Sequence, residues 1–149
     1  MTEGLVSTLR VTAHEPEIAR VSVRKEQFLV GRPLELDGAS SRISALEYAL
    51  GALAGELVNG IRQFAWRRRV DVEHVEALIT GELEHGLAYL EVVGEEGSPR
   101  LARVHLKVFV ASADEPGLRR LWTDVIERLP LLGTLRAALP VQLELIVTP

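Results

Sequence analysis

The sequence has 149 residues, and 47% of them are hydrophobic, which is enough for a single domain with a core of its own. Asp and Glu (21) outnumber Lys and Arg (17), and the resulting net charge of -4 argues against a general binder of nucleic acid or of anionic membranes. The absence of cysteine excludes disulfides, iron–sulfur clusters, cysteine-based zinc sites and every mechanism that needs a thiolate.

The start of the chain and its apolar runs predict a soluble, cytoplasmic protein. Residues 1–4 lack the basic start and the apolar stretch of a secretory signal. The longest apolar run, residues 48–55, has eight residues, whereas a membrane-spanning helix needs ~20. We therefore expect no membrane partner.

The first 36 residues predict strands. Short apolar runs rich in branched side chains lie within residues 5–11, 18–23 and 28–30. They are separated by breaks at residues 14–16 and 31–33, so a small antiparallel sheet is expected.

The strongest pattern predicts one long helix over residues 42–69. Its apolar residues recur at spacings of three and four and line one helical face: Ile43, Leu46, Leu50, Leu53, Leu57, Ile61 and Phe64. Small residues occupy two further faces: Ala45, Ala49, Gly51, Ala52, Ala54, Gly55 and Gly60. Glycine costs ~1 kcal/mol relative to alanine inside a helix, so three glycines indicate that another element packs closely. Ser40 or Ser41, in the turn before the helix, can cap it.

The remainder, residues 74–149, predicts a β-β-β-α-α-β order. The elements are strands at 75–84, 87–93 and 104–110, a helix capped by Asp114 and ended by Pro130, a short helix at 131–138, and a last strand at 141–148. Alternation of apolar and polar residues indicates that the strands are half-buried. The predicted fold class is α+β.

With this order of elements, the sequence resembles the OsmC/Ohr family of osmotic-stress and peroxide-reducing proteins over roughly residues 20–149. Residues 44–56, SALEYALGALAGE, are similar to the family segment in which Ser-Pro-x-Glu opens the central helix and Ala-x-Ala-Gly-Cys follows. Residues 67–73 are similar to the exit of that helix, and residues 127–135 to a family segment with Cys-Pro followed by Thr-Leu. The resemblance implies antiparallel sheets packed around a long central helix in an intertwined homodimer.

The resemblance fails at the two reactive positions. In the family, a cysteine on the central helix attacks the peroxide and a cysteine before the late proline resolves it as a disulfide; here those positions hold Glu56 and Leu129. Neither residue can pass through the sulfenic acid and disulfide cycle, so the sequence predicts that thiol peroxidase activity is lost. Ala45 replaces the usual proline, while Glu47 keeps an acidic position seen in several family branches.

Glu56 has two interpretations. It shares a helix face with Asn59 and Gln63, so it can line the pocket that holds the thiolate in the family, as a hydrogen-bond acceptor or a general acid/base. It can instead be a structural carboxylate paired with an arginine of a partner subunit or of the N-terminal sheet. Glu47 lies nine residues earlier, about half a turn away around the helix, so the two carboxylates do not form an acid/base pair.

The family's peroxidases hold an arginine near the thiolate. Arg24, Arg32 and Arg42 lie in the stretch that can supply one, and Arg32 is the first choice because it precedes Pro33 in a constrained turn. Each of them can also be an ordinary surface arginine.

Two other groups of residues favour a structural interpretation. Residues 67–69, three arginines beside Trp66, can be a nucleic-acid patch or the cations favoured at a helix end, and the negative net charge favours the helix end. The histidines, at positions 14, 74, 85 and 105, show no metal-ligand spacing, so no metal or other cofactor is expected.

Three functions remain open. The first is a homodimer whose pocket binds a small, partly apolar molecule with Glu56 selecting a donor group. The second is an enzyme of another class in which Glu56 and an arginine perform acid/base chemistry. The third is a structural or protein-interaction dimer that has no ligand.

Overall fold

The computed structural model describes residues 4–32 and 42–149. The chain forms two compact units, Met1–Tyr48 and Ala49–Pro149, and their boundary falls within the long helix α1 (Ala45–Arg68). The single domain expected from the sequence stays a prediction. No helix in the described part of the chain combines the length and the apolar character needed to cross a membrane.

The N-terminal unit contains the small antiparallel sheet expected from the sequence. Its strands, in the order β1-β2-β3, are β1 (Arg10–Glu15), β2 (Ile18–Val23) and β3 (Glu26–Val30). Tight turns join them, at which Glu17 and Arg24 adopt left-handed backbone conformations with φ of 67° and 53°. Val21 is buried, whereas every residue of β1 is exposed.

Helix α1 begins with a capping box. The backbone N–H of Ser44 donates to Oε1 of Glu47 at 3.0 Å, and the N–H of Glu47 donates to Oγ of Ser44 at 3.1 Å. These bonds satisfy amides that the first turn of a helix leaves unpaired. The helix therefore begins at Ala45, three residues later than expected. The predicted turn at 37–41, with Ser40 and Ser41, lies outside the described residues.

One side of α1 faces the core of the C-terminal unit. Its buried residues are Leu53, Ala54, Leu57, Gly60, Ile61 and Ala65. The other side is exposed, at Ala49, Gly51, Ala52, Asn59 and Gln63. Apart from the adjoining residues and backbone of α1 itself, no atom of the described residues lies within 4 Å of the place where a Cβ would stand on Gly51 or Gly55. The close packing predicted from the glycines is therefore present at Gly60 alone of these three in the described chain.

The C-terminal sheet is mixed. Its strands, in the order β4-β5-β6, are β4 (His74–Glu84), β5 (Arg100–Ala111) and β6 (Val141–Thr148). Strands β4 and β5 are antiparallel, but β5 and β6 are parallel, so the expectation of antiparallel sheets is wrong for β6. The physical reason is that two helices, α3 (Glu115–Ile126) and α4 (Pro130–Ala138), form the crossover that brings the chain back to the same end of the sheet.

The strand predicted at residues 87–93 is also wrong. The chain forms a single helical turn there, α2 (Gly86–Tyr89). His85 and Glu91, which flank it, have left-handed backbones with φ of 56° and 57°, and this conformation prevents an extended strand. The observed order of the C-terminal part is β-α-β-α-α-β.

Helices α3 and α4 contribute to the same hydrophobic core as α1 and β5. Asp114 caps α3 as predicted, by accepting a hydrogen bond from the N–H of Gly117 at 2.9 Å. The prediction that Pro130 ends α3 is wrong, since α3 ends at Ile126 and Pro130 is the first residue of α4, where its fixed φ and missing N–H suit a helix start. The fully buried side chains come from α1, β5, α3 and α4: Leu53, Leu57, Ile61, Val104, Leu106, Val108, Val110, Leu118, Leu121, Val125 and Leu132.

Candidate functional site

The junction of α1 with α4 holds the residue pair singled out in the sequence. The residue before α4 is Leu129, whose side chain has no oxygen to accept hydrogen bonds from the first turn of that helix. Glu56 of α1 supplies the missing acceptors. Its Oε1 accepts from the N–H of Leu131 and its Oε2 from the N–H of Leu132, both at 3.0 Å. The carboxylate of Glu56 therefore caps α4 from another helix.

The charge of Glu56 faces the positive end of the α4 dipole. A carboxylate there typically stabilises a helix by ~0.3–1 kcal/mol, and by up to ~2 kcal/mol in a partly buried position such as this one. The two bonds engage both oxygens, although each oxygen can accept a further hydrogen bond. Each oxygen of Glu56 already uses one lone pair to accept a backbone N–H, so a proton taken from a substrate would have to go to the other lone pair. The arrangement is therefore better suited to holding α4 in place than to general-base catalysis.

Leu129 packs on α1 one turn after Glu56. A Cβ on Gly60 would stand 2.9 Å from Cδ2 of Leu129 and 3.3 Å from Cγ1 of Val125, so only a bare backbone accommodates both side chains without movement. Leu129 is 8% exposed. Positions 56 and 129 thus border one junction, where they supply a helix cap and an apolar contact. Their descent from a redox pair stays a prediction.

The other polar candidates on α1 are separate from this cap. Glu47 lies in the first turn, where the backbone N–H and then the hydroxyl of Ser44 lower the pKa of its carboxyl group. It is a capping residue of α1. Asn59 and Gln63 are exposed and follow Glu56 along the same side of the helix. They leave open, polar surface next to the capped carboxylate.

The first-choice arginine has a partner of its own in the N-terminal unit. Arg32 forms an ion pair with Glu17, and both side chains are 52% exposed. An exposed pair of this kind contributes ~0–1 kcal/mol. That Arg32 approaches Glu56 stays a prediction.

The histidines take part in local contacts. Nδ1 of His14 lies 2.7 Å from Nη2 of Arg20, and Nε2 of His105 lies 3.3 Å from Oε2 of Glu144. Within residues 4–32 and 42–149, no three His, Asp or Glu side chains are grouped as a metal site requires.

The sequence interpretation missed the capping role of Glu56. One signal was present: Leu129-Pro130 begins a helix without Ser, Thr, Asp or Asn at the cap position. Such a start leaves amides that need an acceptor from elsewhere. The identity of that acceptor depends on the packing of α1 against α4, which no local pattern encodes.

Comparison with known proteins places this geometry in a known fold. No family model matches the sequence, and no curated protein does. Among solved structures, an OsmC-like protein from Mycoplasma pneumoniae superposes with a TM-score of 0.79 at 14% identity, over 99% of this chain and 100% of the other.

Two further solved structures superpose on this chain to a similar extent. The organic hydroperoxide resistance protein OsmC from Legionella pneumophila gives a TM-score of 0.72 at 16% identity, over 96% of this chain and 99% of its own. An organic hydroperoxide resistance protein from Elizabethkingia anophelis gives 0.73 at 13% identity, over 98% and 100%. The chain therefore has an OsmC-like α+β fold, as the resemblance in its sequence implied, and it has no cysteine.

Proposed function

We propose that this protein is a non-redox homodimer with an OsmC-like fold that binds a small, partly apolar molecule on the exposed side of α1 beside Glu56. The observation that carries the proposal is the role of the Glu56 carboxylate as a helix cap. Where the family resembled by the sequence has its attacking thiolate, this chain has a carboxylate that caps α4. Small and polar exposed residues, Ala52, Asn59 and Gln63, continue along the helix from there.

Loss of thiol peroxidase activity is the first part of the proposal. The chain contains no cysteine, so neither a sulfenic acid nor a disulfide can form on it. Consumption of an organic hydroperoxide in the presence of a dithiol should equal the rate of the buffer blank. A rate that scales with the concentration of this protein would contradict the proposal.

The homodimer is the second part. Gly51 is exposed and Gly55 is half-buried, with open space at the Cβ position of each, and the apolar Leu5 and Val6 are 101% and 88% exposed. A second copy packed on these surfaces would bury them. Gly55→Leu should therefore convert the dimer into a monomer, since a leucine keeps the helix but occupies the contact.

Sedimentation or light scattering measures this change. Gly133 in α4 is the matched control, because it is exposed and also has no atom within 4 Å of its Cβ position among the described residues. Gly133→Leu should leave the dimer intact. A monomeric wild-type protein, or an unchanged dimer in Gly55→Leu, would overturn this part of the proposal.

The ligand is the third part, and thermal shift with fatty acids, amines and small metabolites tests it. A ligand present at 100 times its Kd raises the free energy of unfolding by ~2.7 kcal/mol. Ala52→Trp should abolish the shift by filling the exposed side of α1, while Ala137→Trp, at an exposed position of α4, should not. The absence of any shift, or a shift that survives Ala52→Trp, would count against the proposal.

The acid/base enzyme is less well supported. It needs a carboxylate available to a substrate, whereas both oxygens of Glu56 accept hydrogen bonds from backbone amides. If the Glu56→Gln variant kept any catalytic activity found for the wild-type protein, acid/base catalysis by Glu56 would be excluded.

A further inference from the structure

Two adjoining cavities lie at the C-terminal end of α1. The arginine cavity, about 360 Å³, runs along one face of α3, and its charged lining residues are Arg68, Arg69, Arg120, Asp114 and Asp124. The tryptophan cavity, about 650 Å³, is lined by Ala65, Trp66, Arg67, Arg69 and Val70. Arg69 and Val70 line both cavities, so the two share part of their walls.

The carboxylates of the arginine cavity are already engaged. Asp124 forms an ion pair with Arg68, whose guanidinium also lies 5.4 Å from the ring centroid of Phe64. Asp114 accepts the N–H of Gly117 at 2.9 Å and caps α3. In contrast, the guanidinium groups of Arg69 and Arg120 make no hydrogen bond or ion pair with any residue that the structure describes.

The backbone at Arg69 makes this arginine unusual. The N–H of Val70 donates to the carbonyl of Ala65 at 3.0 Å, and the N–H of Arg69 donates to the carbonyl of Trp66 at 3.4 Å. This pair of bonds is a Schellman motif, which places Arg69 in the left-handed region with φ of 56°. Glycine is the favoured residue there. The fold therefore carries a guanidinium at a backbone position that is better suited to glycine.

The charged and aromatic residues that line the two cavities indicate which kind of ligand they can bind. Four arginines line them against two aspartates, so two positive charges remain in excess. A phosphate monoester carries about two negative charges at neutral pH, and the planar guanidinium forks match its oxygens. Trp66 is 82% exposed and offers a ring face beside the apolar Ala65 and Val70.

We propose that these cavities bind a phosphate monoester carried on an aromatic ring, with the phosphate between Arg69 and Arg120 and the ring against Trp66. The site is separate from the capped carboxylate of Glu56, and it goes beyond the proposed function. It assigns a ligand-binding role to Arg69 of the three consecutive arginines, for which the sequence favoured the end of a helix over a nucleic-acid patch.

Phenyl phosphate is the probe. Inorganic phosphate, which lacks the ring, and phenol, which lacks the phosphate, are the comparison ligands. Since the chain has only two tryptophans, Trp122→Phe leaves Trp66 as the single fluorescent reporter. Phenyl phosphate should quench this fluorescence saturably, at a Kd at least about tenfold below that of inorganic phosphate, and phenol should have no saturable effect. Calorimetry with the unsubstituted chain provides the same comparison without the reporter.

Two arginine substitutions separate a site from general charge. Arg69→Gly and Arg120→Gln should each weaken phenyl phosphate at least about tenfold, while Arg136→Gln, at an exposed position of α4, should not. Arg69→Gly should also keep or raise the midpoint of thermal unfolding, which excludes misfolding as the cause of lost binding. Equal binding by wild type and Arg69→Gly, equal affinity for phosphate and phenyl phosphate, or no saturation up to about 10 mM would overturn the proposal.

Discussion

The carboxylate of Glu56 accepts a hydrogen bond from the backbone N–H of Leu132, which lies 76 residues further along the chain. Its other oxygen binds the preceding amide, that of Leu131. A helix start that would otherwise lack an acceptor is thus completed by a different helix. The stability of α4 and its position on α1 consequently depend in part on the carboxylate of Glu56, beside the apolar contact of Leu129.

Substitution of Glu56 by glutamine should lower the free energy of unfolding by ~1–2 kcal/mol. Glutamine has one acceptor oxygen where the carboxylate has two, and its amide group would face a backbone N–H that it cannot accept from. Urea unfolding measures the change. Glu76→Gln, an exposed position of β4, is the control and should change stability by less than ~0.5 kcal/mol. Equal stabilities of the two variants would show that the cap contributes nothing.

Replacement of Gly60 by alanine should destabilise the protein by up to ~2 kcal/mol, because overpacking costs ~1–3 kcal/mol and the better helix propensity of alanine offsets ~1 kcal/mol of it. The added methyl group would stand 2.9 Å from Cδ2 of Leu129. Gly133→Ala places the same methyl group at an open position of α4 and should stabilise by ~0.5–1 kcal/mol. Thermal unfolding of both variants measures these opposite signs, and a shift in the same direction would refute the packing argument.

Truncation of Leu129 to alanine should cost ~2–4 kcal/mol, because this buried side chain would leave a cavity between α1 and α4. The same truncation should relieve the crowding in Gly60→Ala. The double variant is then expected to be more stable than the sum of the single effects by at least ~0.5 kcal/mol. A double-mutant cycle in urea measures the coupling, and strict additivity would mean that the two residues do not share a contact.

The capping box of α1 predicts a dependence on pH. The Ser44 hydrogen bonds lower the pKa of Glu47 below its ordinary value of 4.5 in the folded protein. The stabilisation is therefore present above pH 4.5 and is lost as the pH falls through the lowered value. Glu47→Gln should be less stable than wild type at pH 7, and the gap should close as the pH falls below the lowered pKa of Glu47. A gap that is constant with pH, measured by thermal unfolding, would contradict this assignment.

Local patterns predict most of the elements of this fold. The spacing of Leu50, Leu53, Leu57 and Ile61 predicts α1, since a core on one side of a helix requires that period. Alternation predicts β4, β5 and β6 in the same way. The strand predicted at residues 87–93 is wrong because this run is short and almost entirely apolar, so it has no alternation that would distinguish a strand from a helical turn. The left-handed backbone at His85 could not be predicted from the type of residue there.

The remaining features depend on contacts that are remote in the sequence. Nothing in the residues of β6 records that it runs parallel to β5, because the direction follows from how α3 and α4 return the chain. The cap of α4 is similar: Glu56 and Leu129 could be singled out by the resemblance to a family, but their physical roles appear only when α1 and α4 are packed together.

The amides of Leu131 and Leu132 should exchange their hydrogens with solvent slowly. Amides in the first turn of a helix normally exchange fast, since they lack a partner, but these two are bonded to Glu56. Their exchange therefore requires the carboxylate to separate from α4, so their protection factors report the free energy of that local opening.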